Sequence, residues 1–215
     1  MHSLPFTLAI ASALALAAPA AGAVEAYAGV GTTGVEVGIA QPLAGPFSVR
    51  VDIDWLHASH HFTTSDIDYD ARLKASNAGA YLDLFVLGGL RLTGGALIGD
   101  RKVHGVARSM GGTITLNGVV YPVSASDTLT FDADFPNVTP YLGIGYGHRG
   151  NAPGWRLYAD AGVAWGRPDV RLSPSASLAA KASPSDIAGE QARAQDQADK
   201  LRAYPVVKVG LIYSF

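Results

Sequence analysis

Apolar and polar residues alternate along this chain in one segment after another. In 47–56, Phe47, Val49, Val51, Ile53 and Trp55 share one face, and Ser48, Arg50, Asp52 and Asp54 share the other. In 155–166, Trp155, Leu157, Ala159, Ala161, Val163 and Trp165 oppose Arg156, Tyr158, Asp160 and Gly162. The last segment, 204–215, sets Val207, Val209, Leu211, Tyr213 and Phe215 against Tyr204, Lys208, Gly210, Ile212 and Ser214. Successive side chains of a strand point to opposite faces, so each pattern predicts a strand with one apolar and one polar or small face. Further strands are predicted over 68–84, 90–101 and 139–148. The stretch 25–40 reads as two strands separated by a turn at Thr32-Thr33-Gly34, because a barrel with both ends on one side needs an even count.

The polar faces carry the charges. Arg50, Asp52, Asp54, Arg72, Lys74, Asp83, Arg91, Arg156, Asp160 and Lys208 are all expected to point inward. For Arg72 and Lys74 this requires a bulge near Ser76-Asn77, where the apolar set switches from Tyr69, Ala71, Leu73 and Ala75 to Ala78, Ala80, Leu82 and Leu84. A soluble sandwich also alternates, but several charges on a covered face suit a barrel lumen, where opposite signs pair. Trp155 and Trp165 lie ten residues apart on one face. At ~3.3 Å per residue and ~40° of tilt they span about 25 Å, the height of an apolar membrane band, and read as two interface girdles.

Between strands, 41–46 and 86–89 are short turns and 57–66 is a polar loop. The excursion 102–137 contains a hairpin over 113–121 with Asn117-Gly118 as its type I′ turn, and 128–135 as a returning arm. In 167–203, Ser183 is a helix N-cap, Pro184 the first helical residue, and the helix is expected over 186–202. The fold class is therefore all-β: an eight-stranded antiparallel transmembrane barrel with long extracellular loops at 57–67, 103–137 and 168–203. One long loop carries a hairpin and another a short helix.

Composition agrees. The chain has 215 residues, of which 48% are hydrophobic and 16% charged. A soluble domain averages ~25% charged. No stretch after the N-terminus approaches the ~20 apolar residues of a membrane helix. A net charge of −2 gives no reason to expect nucleic acid as a partner. The lack of cysteine excludes disulfides, thiolate metal sites and a cysteine nucleophile. At the N-terminus, the small-apolar run 8–18 followed by Ala21-Gly22-Ala23 reads as a cleaved signal peptide, 1–23, although its first residues carry His2 and no Lys or Arg. That leaves 24–215 as the barrel domain.

Candidate chemistry is sparse. His57, His60 and His61 with Asp66 could supply imidazole and carboxylate to a transition metal, but their spacing places no clean pair on one strand face, so neither metal nor cofactor is expected. The histidines at 57, 60, 61, 104 and 148 with Ser59 or Ser109 match no hydrolase or acyltransferase constellation. The expected role is structural or surface-interacting, without enzymatic activity. The alternatives are an enzyme acting on lipid A or peptides at the rim, or a narrow small-solute channel.

Lys208-x-Gly210-x-x-Tyr213-x-Phe215 resembles the C-terminal assembly signal of outer-membrane barrels. Tyr69-Asp70-Ala-Arg-Leu-Lys74, Leu90-Arg-Leu-Thr-Gly-Gly95, Gly118-Val-Val-Tyr-Pro122, Pro140-Tyr-Leu-Gly-Ile-Gly145, Trp155 with Asp160-Ala-Gly162, and Tyr204-Pro-Val-Val207 are together similar to small proteobacterial outer-membrane barrels of uncharacterised activity. The architecture looks like that of the OmpA/OmpX-type barrels. The resemblance implies a cell outer-membrane location. It also implies contact with outer-membrane lipid and lipopolysaccharide, and insertion by periplasmic chaperones and the barrel-assembly machinery.

Overall fold

The computed structural model describes residues 24–63, 67–109, 111–148 and 152–215. The signal-peptide assignment at 1–23 and the metal candidate Asp66 lie outside them. Among the described residues, twelve strands and two helices follow one another. They are β1 (Glu25–Gly31), β2 (Gly34–Pro42), β3 (Phe47–Thr63), β4 (Ile67–Leu87), β5 (Leu90–Ser109), β6 (Gly112–Leu116), β7 (Val119–Val123), β8 (Thr128–Asp134), β9 (Val138–Tyr146), β10 (Gly154–Trp165), β11 (Asp169–Pro174), α1 (Ala176–Lys181), α2 (Pro184–Ala198) and β12 (Ala203–Ser214).

Eight of the strands close a ring in the order β1-β2-β3-β4-β5-β9-β10-β12, with β12 returning to β1 and every pair antiparallel. Closure removes the free sheet edges that would otherwise pair with other chains. Thr32 and Thr33 separate β1 from β2 as expected. The outward positions form an apolar band: Val35, Val37, Ile39, Val49, Val51, Ile53, Leu92, Leu142, Ile144, Leu157, Val207, Val209 and Leu211 are all exposed.

β3, β4 and β5 run well beyond this ring at the end opposite the chain termini. The predicted loop 57–66 is instead strand up to Thr63. β5 continues to Ser109 rather than stopping at Arg101. On β5, β9 pairs with Leu90–Ile98 and β8 with Lys102–Arg108 in unbroken register, so β8 and β9 are one strand interrupted at 135–137. Pro136, which has no N–H to donate, sits in that interruption. β11 then pairs with the outer edge of β8.

The bulge expected near Ser76-Asn77 is not there. β4 and β5 stay in register from Ile67↔Ser109 to Phe85↔Arg91, and the irregularity falls between Phe85 and Leu87. Arg72 and Lys74 therefore point outward, not into the lumen. The polarity switches sides while the backbone continues. Beyond Trp55, Ser76 and Asp100, which are register partners, the outward residues become His57, Ser59, Lys74, Arg72, Lys102 and His104. The inward ones become apolar: Ala133 and Val170 are buried with Ala198, and Val103, Phe131 and Ala194 pack against them. Below the switch the outside is apolar, and the inside carries the charged groups together with buried tyrosines and a few aliphatic residues, Leu97, Val206 and Ile212 among them. Above it, the order is that of an ordinary sheet facing water.

This protruding sheet is roofed by the helices and the hairpin. Asn117 and Gly118 take φ of 52° and 83°, the left-handed conformation that a type I′ turn requires at both positions. Leu116, Leu178 and Ala182 form a buried cluster with Ile114, Tyr121 and Ile187 against it. α2 starts at Pro184 with Ser183 as its N-cap, the hydroxyl accepting from Asp186 N at 3.2 Å. It ends at Ala198, four residues short of the expected 202, and α1 was not foreseen.

Candidate functional site: the charged lumen

An eight-stranded ring is just wide enough for its own side chains. Six buried carboxylates lie along the lumen: Glu25, Glu36, Asp52, Asp54, Asp83 and Asp160. Among the described residues the buried cations are Arg50, Arg91, Arg101 and Lys208. They sort into layers.

In the middle, Arg50 Nε lies 2.6 Å from Asp83 and its Nη1 3.1 Å from Asp160. Arg91 bridges the same two carboxylates, with Nε 3.4 Å from Asp83 and Nη2 bonded to Asp160. Two guanidinium groups and two carboxylates thus form a closed square. Thr93 donates to Asp83 at 2.6 Å, and Arg91 donates to the Gly147 carbonyl at 2.9 Å. Gly145 is where this square meets the wall, since a Cβ there would collide with Asp160 and Arg91.

One layer toward the far end, Lys208 Nζ lies 2.6 Å from Glu36, 3.2 Å from Asp52 and 2.9 Å from Asp54. Thr33 donates to Asp54 at 2.9 Å, and Tyr158 donates to Glu36. Glu36, Asp52 and Asp54 are the one group of three potential metal ligands among the described residues. The ammonium of Lys208 occupies the place where a cation would sit. The space bounded by Arg50, Tyr81, Tyr141, Asp160 and Lys208 is too small for a water molecule.

Charged groups are paired at both ends as well. At the far end Arg101 donates to the Pro136 carbonyl at 3.1 Å and to Thr139, with its guanidinium 5.1 Å from the Tyr204 ring and 5.9 Å from Phe135. At the termini end Glu25 binds His148 at 2.8 Å and Arg156 at 2.9 Å.

Of the expected lumen charges, Arg50, Asp52, Asp54, Asp83, Arg91, Asp160 and Lys208 are there, and Arg156 stands at the mouth. Arg72 and Lys74 are not. Sequence reasoning missed Glu25, Glu36, Arg101 and His148. The signal for Glu36 was present: Val35, Val37 and Ile39 face outward, so the residue between them faces in. In the C-terminal motif, Lys208 and Gly210 face the lumen, while Phe215 is exposed and its ring lies 5.1 Å from Tyr213. Trp155, 5.1 Å from Tyr213, is in the aromatic rim at the termini end, and Trp165 faces outward at the other. Against the expectation that no pair of these histidines shares a strand face, His57 and His61 both lie on the outer face of β3, because a separation of four residues preserves the side, and His60 takes the opposite one; His61 pairs with Asp68 at 3.3 Å. The three are not gathered into a metal site.

No family model matches the sequence, and no curated protein matches it significantly. Solved structures that share its fold include two from Acinetobacter baumannii. CarO of Acinetobacter baumannii is 20% identical with a TM-score of 0.63, over 90% of this chain and 98% of that one. CarO2 of the same organism is 19% identical with a TM-score of 0.65, over 90% and 99%.

Proposed function

We propose that this chain is a sealed outer-membrane barrel that acts through the folded cap on its outer side, in a structural or surface-interaction role. The observation that carries this reading is the outward apolar band around a polar, ion-paired interior. Soluble proteins rarely expose contiguous apolar patches of more than a few hundred Å², whereas lipid-facing strands require one, with aromatic rims such as Trp155 and Trp165. The ring of eight strands and the filled lumen support an OmpA/OmpX-like design. In this reading residues 1–23 direct export, and the exposed Phe215 and inward Lys208 and Gly210 serve recognition by the barrel-assembly machinery after chaperone delivery. No enzymatic activity is expected.

The test is heat modifiability on the outer-membrane fraction of an expressing strain, joined to planar-bilayer recording. The expected result is a band that shifts on boiling, partitions with the outer membrane and adds no conductance to the bilayer. A soluble periplasmic protein without a shift would overturn the reading. One observation favours a second reading, a narrow cation conduit: Lys208 alone faces three carboxylates. Cation-selective conductance that changes in Lys208→Met would establish that alternative instead.

A further inference from the structure

The first polar rungs above the apolar band carry an uneven distribution of charge. On the outer face of the protruding sheet, His57, Lys74 and Lys102 are register partners on β3, β4 and β5. The next rung holds Ser59, Arg72 and His104. All six side chains are exposed. Lys74 stands directly opposite Lys102, so their Cβ atoms are about 5 Å apart. Like charges directly opposite are unfavourable. Among the described residues neither ammonium has an ion-pair partner. Arg72 pairs with Asp70 at 3.3 Å, which engages only part of its fork of donors. His104 pairs with Asp132 at 2.6 Å. The carboxylates of this face border the cluster: Asp100 on the rung below, Asp70 above, and on β8 Asp134 directly opposite Lys102 and Asp132 directly opposite His104, with Asp169 beyond them on β11, so Arg72 and Lys74 stand farthest from that acidic edge.

The position adds a second constraint. The Lys74–Lys102 rung is the next one above Trp55, Ser76 and Asp100, where the outward surface ceases to be apolar. Two residues of strand rise about 6.6 Å, less with tilt, so the cluster stands at the depth of lipid headgroups. Guanidinium and ammonium groups together recognise phosphate, the former as a fork and the latter as a point charge.

We propose that Arg72, Lys74 and Lys102, flanked by His57 and His104, form a binding site for the phosphate groups of an outer-leaflet glycolipid headgroup. The proposal rests on the outer-membrane reading given above. It assigns the outer face of β3–β5 to lipid and leaves the roof over the inner face to other contacts.

The experiment is native mass spectrometry of the full-length barrel in detergent, titrated with lipid A, with its dephosphorylated counterpart, and with lipid A in the presence of excess inorganic phosphate. Arg72→Ala, Lys74→Ala and Lys102→Ala, singly and combined, are compared with Arg171→Ala, an exposed cation elsewhere on the same face. Each removed cation is expected to weaken lipid A retention about fivefold, and the combined variant to retain no more than dephosphorylated lipid. Arg171→Ala should behave as the unaltered protein. Equal retention of both lipids, equal retention by the combined variant, or complete displacement by millimolar inorganic phosphate would overturn the proposal. Heat modifiability and outer-membrane partition of the same samples report separately on the barrel itself, so the two readings fail independently.

Discussion

Gln195 of α2 closes the free edge of β11 at Val170. Its Oε1 accepts the Val170 N–H at 2.8 Å, while its Nε2 donates to the Pro168 carbonyl at 3.0 Å. One turn earlier, Gln191 does the same, accepting from Leu172 N at 2.6 Å and donating to the Val170 carbonyl. Two glutamines four residues apart on one helix face thus stand in for a neighbouring strand. An uncovered edge is a template for pairing with other chains, and β11 is the strand that ends the protruding sheet. Asn117 N donates to Glu190 at 2.8 Å and Tyr121 donates to Asp186, so the same helix also ties down the hairpin.

The combined change Gln191→Ala and Gln195→Ala should therefore release the roof without opening the barrel. At about 1 kcal/mol for each of four hydrogen bonds, the local stability of β11 should fall by roughly 3–4 kcal/mol. Amide exchange at Val170 and Leu172 should accelerate while the boiling-dependent gel shift stays intact. Unchanged protection at those two amides would contradict the role given to the glutamines.

Arg91→Met should be among the most damaging lumen changes. Arg91 is fully buried and shared between Asp83 and Asp160. Removing one partner of a buried ion pair leaves uncompensated charge and costs about 3–5 kcal/mol. Urea titration of the folded barrel, followed by gel mobility, should show an earlier midpoint for Arg91→Met than for Arg171→Ala. Coincident midpoints would mean that the central square contributes little.

Acid should loosen the roof. The Lys181 ammonium, 2.6 Å from Asp127, holds that carboxyl below the usual range, with help from Ser177 and Ser124. Tyr121 first, then Ser183 and Asn117, lower Asp186. A carboxylate with a depressed folded pKa contributes stability that is complete above its unfolded value, about 3.9, and disappears as pH falls through the folded value. Protease cleavage within 111–127 and 174–200 should be pH-independent from 7 to 5 and rise below about pH 4. In Asp186→Asn, that rise should be smaller and cleavage at pH 7 already greater.

The orientation of β4 can be read by cysteine scanning, because the natural chain has no cysteine. In liposome-embedded protein, Lys74→Cys should react readily with a water-soluble maleimide, Leu73→Cys slowly, and Leu82→Cys only with a lipid-soluble reagent. A bulge at Ser76-Asn77 would reverse the first two, so that order of reactivity decides between the arrangements.

That strand also shows where sequence reasoning stops. The switch from Tyr69, Ala71 and Leu73 to Ala78, Ala80 and Leu82 is plain in the chain, and two causes produce it: a backbone that slips by one residue, or surroundings that exchange sides. Alternation reports the solvent on each face of a strand and says nothing of the backbone between. Only the unbroken pairing with β5 decides, and it places the change in the surroundings.

What the sequence by itself determined is local. It set the alternating strands of the ring, the Thr32-Thr33 turn, the Asn117-Gly118 turn with both residues left-handed, and the Ser183-Pro184 helix start. It also set which side chains in 47–56 and 155–165 face inward. Each follows from a period of two or from the dihedral preferences of one or two residues. The tertiary structure decided the rest. It laid β8 on β5 above β9, set β11 beside β8, gave Lys208 three carboxylates and Arg91 two, and turned a glutamine-rich helix into the cover of an edge. Those pairings join residues tens to more than a hundred positions apart, and a period-two pattern is equally satisfied by any partner that presents the same face.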